Sequence, residues 1–302
     1  MTQRSRALFL VRKSLRTAFC GVGLAALVAA FTVACSDQLE DAALAGARAS
    51  DAAAPSAKAS DSSHSDPWRP RPGATWQWQL ADEPLDLSLN VEMYDLDLFE
   101  TTAAVVRQVH DRGAKAVCYL SAGTREDWRP DAAQFPREVV GKPYAEWPGE
   151  RWLDIRRLDL LASIMQGRLD LCAAKGFDGV EPDNIDGFTN DTGFPLTMED
   201  QLRYNLWLAQ EAHKRGLSIG LKNSPELAGQ LVGAFDWALT EDCVAEGWCA
   251  QLAPFFAQGK AVFSAEYTDT RVTLEAACAQ ARALGLSVIL KRRELDAYRQ
   301  AC

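Results

Sequence analysis

From residue 75 onward, short apolar runs alternate with longer stretches whose apolar residues recur at helical spacing. The runs predict strands over residues 76–80, 90–95, 116–120, 217–221, 235–239, 261–265 and 286–290. One more opens at Gly176 and runs into Glu181-Pro182-Asp183-Asn184. Helices are predicted over 102–112, 158–174, 197–215, 225–232, 248–257 and 271–283. In the second of these, Leu161, Ile164, Met165, Leu169 and Cys172 share one face. Thr197 and Asp200 have the spacing of a capping box. Gly176, Gly216, Gly259 and Gly285 stand where helices end.

Strands that are apolar throughout are buried on both faces, which implies a parallel sheet. Eight βα units within about 230 residues predict an α/β fold of the (β/α)8 TIM-barrel type over residues 73–302. A doubly wound dinucleotide-binding sheet lacks its GxGxxG signature. The loop 123–157 is too long to be idle, and 152–155 predicts a ninth short strand within it.

In such a barrel the site lies at the C-terminal mouths of the strands. Those positions carry Trp78, then Asp95 and Asp97, then Tyr119. Glu181, Asp183 and Asn184 follow, then Lys222 and Asn223, Glu241 and Asp242, and finally Glu266 and Tyr267. Aromatic rings that stack on sugars and acids that bind hydroxyls or do chemistry recur at the same end. Asp178, Glu181, Asp183 and Asp186 place four acids around one strand. Paired carboxylates at a strand mouth suit cleavage of a glycosidic bond.

The first 34 residues predict an export signal. Arg4, Arg6, Arg12, Lys13 and Arg16 precede an apolar run over 18–34. Thr32-Val33-Ala34-Cys35 resembles the lipobox of bacterial lipoproteins, with Thr32 where leucine is usual and Cys35 as the lipidated residue. Ser36 points to the outer membrane; ordinary cleavage would leave the protein periplasmic or extracellular. Residues 35–72, rich in Ala, Ser, Asp and Pro, predict a disordered tether.

The chain has 32 bases and 41 acids, a net charge of −9. Without the signal, 27 bases face 41 acids, a net of −14. That balance repels nucleic acid and suits a cationic substrate, though simple solubility explains it as well. Membrane contact is expected only through Cys35, and the protein is expected to be a monomer. Beyond Cys20 and Cys35, six cysteines remain in an exported chain, which suggests disulfides. Fifteen connectivities are open. One pairs Cys243 with Cys249, Cys278 with Cys302 and Cys118 with Cys172. A zinc site lacks CxxC spacing, the three histidines are scattered, and no metal or cofactor is expected.

The run Glu181-Pro182-Asp183-Asn184-Ile185-Asp186-Gly187 resembles the EPDNxDG signature of glycoside hydrolase family 114. Trp76–Leu80, Tyr94–Phe99, Tyr119–Gly123, Gly220–Asn223 and Thr240–Cys243 resemble further blocks of that family, in order. The resemblance implies a (β/α)8 barrel and an endo-acting α-1,4-polygalactosaminidase whose substrate is a partly cationic polymer. It maps the catalytic pair onto Asp183 and Glu241. Asp183, beside Asn184 and near Lys222, is assigned nucleophile or base, and Glu241 proton donor. Glu181 is expected either to support Asp183 or to touch substrate, and Asp186 to serve a turn. Trp128, Trp147 and Trp152 either line further subsites or pack the long loop. A carbohydrate-binding protein without catalysis, or a barrel glycosidase for another glycan, are the rival readings.

Overall fold

The structure is a computed structural model that describes residues 66–81, 85–145 and 147–302. The expected signal, Cys35 and most of the tether lie outside the described residues. Residues 68–71, expected to belong to that tether, rest on the folded unit instead. Trp68 packs against the inner core and Arg69 Nε donates to Asp236 at 2.9 Å.

The strands run β1 (Trp76–Gln79), β2 (Met93–Asp97), β3 (Lys115–Ser121), β4 (Thr124–Glu126), β5 (Val140–Pro143) and β6 (Glu150–Leu153). They continue as β7 (Gly179–Asp183), β8 (Ser218–Lys222), β9 (Trp237–Glu241), β10 (Val262–Tyr267), β11 (Ser287–Lys291) and β12 (Gln300–Ala301). Eight of them pair in parallel in the order β1-β2-β3-β7-β8-β9-β10-β11, and β12 adds an antiparallel edge to β11. This is the barrel sheet the apolar runs predict. It has one departure: β11 and β1 are not joined by a ladder. Residues 295–301 bridge them. Leu80 N and Ala81 N donate to Leu295 O, and Arg299 Nε donates to Trp76 O.

The helices are α1 (Ala103–Asp111), α2 (Leu158–Lys175), α3 (Met198–His213), α4 (Ala228–Leu231), α5 (Cys243–Glu246), α6 (Ala253–Ala257) and α7 (Leu274–Leu284). The capping box of Thr197 and Asp200 is present at α3. Two predicted helices shrink. Residues 225–232 form a 3-10 turn and α4; residues 248–257 form a 3-10 turn and α6. The predicted start at 271 moves to Leu274, because Thr273 caps Ala276 N. The long loop is not structureless. It builds a small antiparallel sheet, β4-β6-β5, beside the barrel mouth.

Alternation along the strands divides the core in two. Trp76, Met93, Val117, Trp237, Leu239, Phe263 and Ile289 fill the barrel interior. Residues of the other parity meet the helices. Burying each large interior side chain contributes roughly 1.5–3 kcal/mol. The Trp237 ring fits only because Gly220 lies opposite it; a Cβ there would stand 2.4 Å from the ring. Disulfides join Cys118 to Cys172, Cys243 to Cys249 and Cys278 to Cys302. The first ties β3 to α2 across 54 residues, a closure that contributes roughly 3–4 kcal/mol in a chain-entropy account.

Candidate active site

Inward parity carries chemistry at the C-terminal end of the barrel. The same alternation that packs Trp237 and Leu239 inside brings Glu241 to the mouth of β9, and Phe263 and Ala265 lead to Tyr267 on β10. Glu181 and Asp183 alternate inward on β7, beside Lys222 at the end of β8. The Lys222 ammonium is the hub. Its Nζ lies 2.9 Å from Glu181 Oε1, 3.0 Å from Asp183 Oδ1 and 3.1 Å from Glu241 Oε2. The same Nζ sits 4.6 Å from the centre of the Trp78 ring.

Exposure separates these groups. The side chains of Lys222 and Glu181 are 1% and 0% exposed, whereas Asp183 and Glu241 are 18% and 29% exposed. Among these four, Asp183 and Glu241 are the ones a substrate can meet. Burial opposes the Lys222 charge, but Asp183, Glu181 and Glu241 outweigh it and hold its pKa well above the ordinary lysine value.

Asp183 is fixed at both oxygens. Asn184 N donates to Oδ1 at 2.8 Å, and Tyr119 Oη donates to Oδ2 at 3.1 Å. Glu241 Oε1 accepts from the Tyr267 hydroxyl. Arg293 lies 3.9 Å over the Tyr267 ring and pairs with Asp242 at 2.6 Å. The residues that leave β7, β8 and β9 are Asn184, Asn223 and Asp242, all left-handed, with φ of 59°, 48° and 55°. Asn and Asp tolerate that conformation better than most residues. Asn223 uses it to accept Glu241 N at 3.0 Å.

Gly123 is required here for a different reason. A Cβ on it would stand 1.7 Å from Asn184 O. That closeness lets Ala122 N and Gly123 N both donate to Asp183 O, at 2.9 and 3.2 Å. The turn after β3 therefore grips the backbone of the candidate catalytic residue.

Several expected substrate contacts are corrected by burial. β2 runs to Asp97, two residues further than the apolar run predicts, so Asp95 lies within the strand. Asp95 is fully buried against Glu181. Among the described residues, no side chain with a nitrogen or hydroxyl donor meets an Asp95 oxygen or Glu181 Oε2. A hydrogen bond between the two carboxyls therefore requires a proton on one of them. Burial pushes Asp95 up to about 7, and raises Glu181 well above the carboxylate range despite Lys222. Glu181 and Lys222 thus lie beneath Asp183 and Glu241, closed off from solvent.

Asp97 is occupied by Arg129, whose Nη1 and Nη2 donate to its two oxygens at 2.9 and 2.6 Å. Glu266 has the outward parity of β10. Its oxygens accept Ser264 Oγ, Val244 N and Ala245 N outside the barrel. Trp78 is buried beneath Lys222 instead of forming an open platform. In the long loop Trp128 and Trp147 are exposed, while Trp152 is buried with its ring 5.1 Å from that of Tyr144.

Asp186 serves the turn that the sequence predicts. Its carbonyl accepts Thr189 N at 3.0 Å, closing the turn. Its carboxyl is pushed up to about 6, by burial first and by the Asp183 charge second. The sequence reading also passes over Arg293, Ser121 and Thr124. Ser121 was open to detection, since it shares the parity of Tyr119; Arg293 carries no local signal.

A family model described as glycoside-hydrolase family GH114 matches residues 57–302. The crystal structure of Aspergillus fumigatus Ega3 complexed with galactosamine is similar with a TM-score of 0.74 and 36% identity. That likeness covers 79% of this chain and 98% of Ega3. The glycoside hydrolase domain of PelA from Pseudomonas aeruginosa shares the fold, with a TM-score of 0.61 and 17% identity over 75% of this chain and 98% of that one. An uncharacterized protein of Deinococcus radiodurans is 26% identical over 231 residues, 68% of this chain and 73% of its own length.

Proposed function

This chain belongs to glycoside-hydrolase family GH114, and from that membership we propose that it is an endo-acting hydrolase of α-1,4-linked, galactosamine-containing polysaccharide, with Asp183 and Glu241 as its two carboxylates. The observation that carries the pair is their position on one buried ammonium, Lys222, with both acids open to solvent.

Asp183 is the nucleophile. Three donors, from Asn184, Tyr119 and Lys222, aim its oxygens. Glu241 is the proton donor. As Asp183 attacks the anomeric carbon, Glu241 gives its proton to the departing glycosidic oxygen. Negative charge leaves Asp183 and appears on Glu241, and Lys222 faces both. The ammonium therefore stabilises the charge before and after its transfer without moving. In the second half, Glu241 takes a proton from water, which attacks the glycosyl ester and frees Asp183.

The two oxygens that contact Lys222 are at most about 6 Å apart, since each lies within 3.1 Å of one nitrogen. That supports the closer spacing of retaining enzymes, about 5–5.5 Å, over the about 6.5–9.5 Å of inverting ones.

The likeness to Ega3 supports a galactosamine polymer. An excess of carboxylates at the mouth suits a cationic sugar. Product analysis on a panel of de-acetylated and acetylated amino sugar polymers tests this. Shortened galactosamine chains are expected. Binding without products would favour a carbohydrate-binding protein, and products from another polymer alone would favour a different glycan.

For location, we propose export and a lipid anchor at Cys35. Three disulfides support an oxidising compartment. Cys35→Ser is expected to release the protein from membranes; unchanged fractionation would remove the anchor.

A further inference from the structure

Glu150, on β6 of the small side sheet, is buried. It stands at one end of a line of polar atoms that leads to Asp183. Glu150 Oε1 contacts Thr124 Oγ1. Thr124 Oγ1 lies 2.5 Å from Ser121 Oγ, and Ser121 Oγ lies 2.8 Å from Asn184 Oδ1. Asn184 in turn gives its backbone N–H to Asp183 Oδ1 at 2.8 Å.

Counting hydrogens fixes the direction of this line. Asn184 Oδ1, which faces Ser121, can only accept, so the Ser121 hydroxyl hydrogen goes to it. Thr124 then has one hydrogen for three oxygen neighbours, Ser121 Oγ, Glu150 Oε1 and, at 3.3 Å, Asn184 Oδ1. With Glu150 ionised, one of its two short contacts, to Ser121 or to Glu150, holds no hydrogen at all. With a proton on Glu150, both short contacts are filled. Glu150 donates to Thr124, Thr124 to Ser121, and Ser121 to Asn184.

We propose that Glu150 is a neutral carboxylic acid at neutral pH, and that it acts as a positioning residue which orders this chain and so holds Asn184 against Asp183.

The surroundings agree. Burial pushes the Glu150 carboxyl up to about 8. The charges of Glu126 and Asp183 add to the rise, and the Thr124 hydroxyl and Arg129 oppose it. Glu126 is the register partner of Glu150 on β4, and Arg129 is already engaged by Glu126 and Asp97. Asn184 needs such a hold. It is left-handed, a backbone state that costs roughly 1–3 kcal/mol for most residues, and its side-chain oxygen is where the protein grips it. Loss of the Glu150 proton would leave the Thr124 hydroxyl to choose between Glu150 and Ser121, and the line that ends on Asn184 would no longer have one fixed order.

The test compares Glu150→Gln, whose amide still donates but cannot ionise, with Glu150→Ala. An infrared difference spectrum of wild type against Glu150→Gln, without substrate, is expected to show a protonated carboxyl band at about pH 6 that fades above about pH 8. In turnover, Glu150→Gln is expected to keep kcat within about threefold of wild type at neutral pH and to lose part of the alkaline fall. Any fall from the substrate's own amine is common to both enzymes and cancels. Glu150→Ala is expected to lose about tenfold or more in kcat with little change in KM. Absence of the carboxyl band would overturn the proposal. So would a Glu150→Gln variant that falls as far as Glu150→Ala, or one whose alkaline fall matches wild type. The turnover arms rest on the role of Asp183 given above; the infrared arm does not, so failure of that role and failure of the Glu150 proton are distinguishable.

Discussion

Tyr267 donates its hydroxyl to Glu241 from the end of the neighbouring barrel strand. The contact holds one oxygen of the proposed proton donor while Lys222 holds the other. Tyr267→Phe removes only that hydroxyl. A hydrogen bond to a charged group contributes roughly 1.5–3 kcal/mol, so kcat is expected to fall about tenfold to a hundredfold with KM nearly unchanged. Steady-state kinetics check this; a loss confined to KM would mean that Tyr267 serves substrate binding instead.

Asp183→Asn and Glu241→Gln are each expected to abolish turnover while thermal unfolding stays within a few degrees of wild type. Both side chains are partly open, and each substitution is isosteric. Proton NMR of the first product is expected to show the anomer of the starting linkage. An inverted product would overturn the retaining reading.

Lys222→Met takes the partner from Glu181, which is fully buried. Breaking a buried ion pair from one side costs roughly 3–5 kcal/mol. Urea unfolding is expected to show a loss of that order. Adding Glu181→Gln is expected to restore part of it, because a neutral amide then replaces the buried carboxyl that Lys222 held. Equal stability of the single and double variants would show that Glu181 does not depend on Lys222.

Stability is expected to fall as pH rises from about 5 to 8. Asp95 and Glu150 have folded pKa values of about 7 and 8, against ordinary values of 3.8 and 4.5. Between those limits the native protein binds more protons than the unfolded chain, so ionisation favours unfolding. The stabilisation is complete below the ordinary values and lost as pH passes the raised ones. Each group changes the unfolding free energy by about 1.4 kcal/mol per pH unit within its window. Glu211, lowered to about 2, acts only below this range. Calorimetry across the range checks the sign, and Glu150→Gln is expected to make the fall shallower. A Tm that rises with pH would contradict both assignments.

The barrel was legible because its signals are local. Apolar runs and glycine stops mark βα units whatever surrounds them. Asp183, Glu241 and Lys222 were legible because they end such runs. Which mouth residue faces inward was also open to reading, through parity. Glu266 and Tyr267 differ by one position, and only the second shares the face of Phe263 and Ala265. Burial was not legible. Asp97 looks free in sequence, and its occupant, Arg129, comes from the long loop far along the chain. Glu150 is equally remote from Asp183, and only the side sheet brings it near.

The bridge between β1 and β11 also makes the barrel mechanically uneven. Its other parallel strands are joined by ladders, but this pair is held by residues 295–301 and by side-chain bonds such as Trp76 Nε1 to Ser287 O. Force applied along that segment would peel it bond by bond, as a zip opens, while the ladders elsewhere resist shear. The Cys278–Cys302 link ties the segment's far side to α7 and stops the peeling short. Among the described residues, this gap in the strand pairing of the barrel lies opposite the strands that carry Asp183 and Lys222.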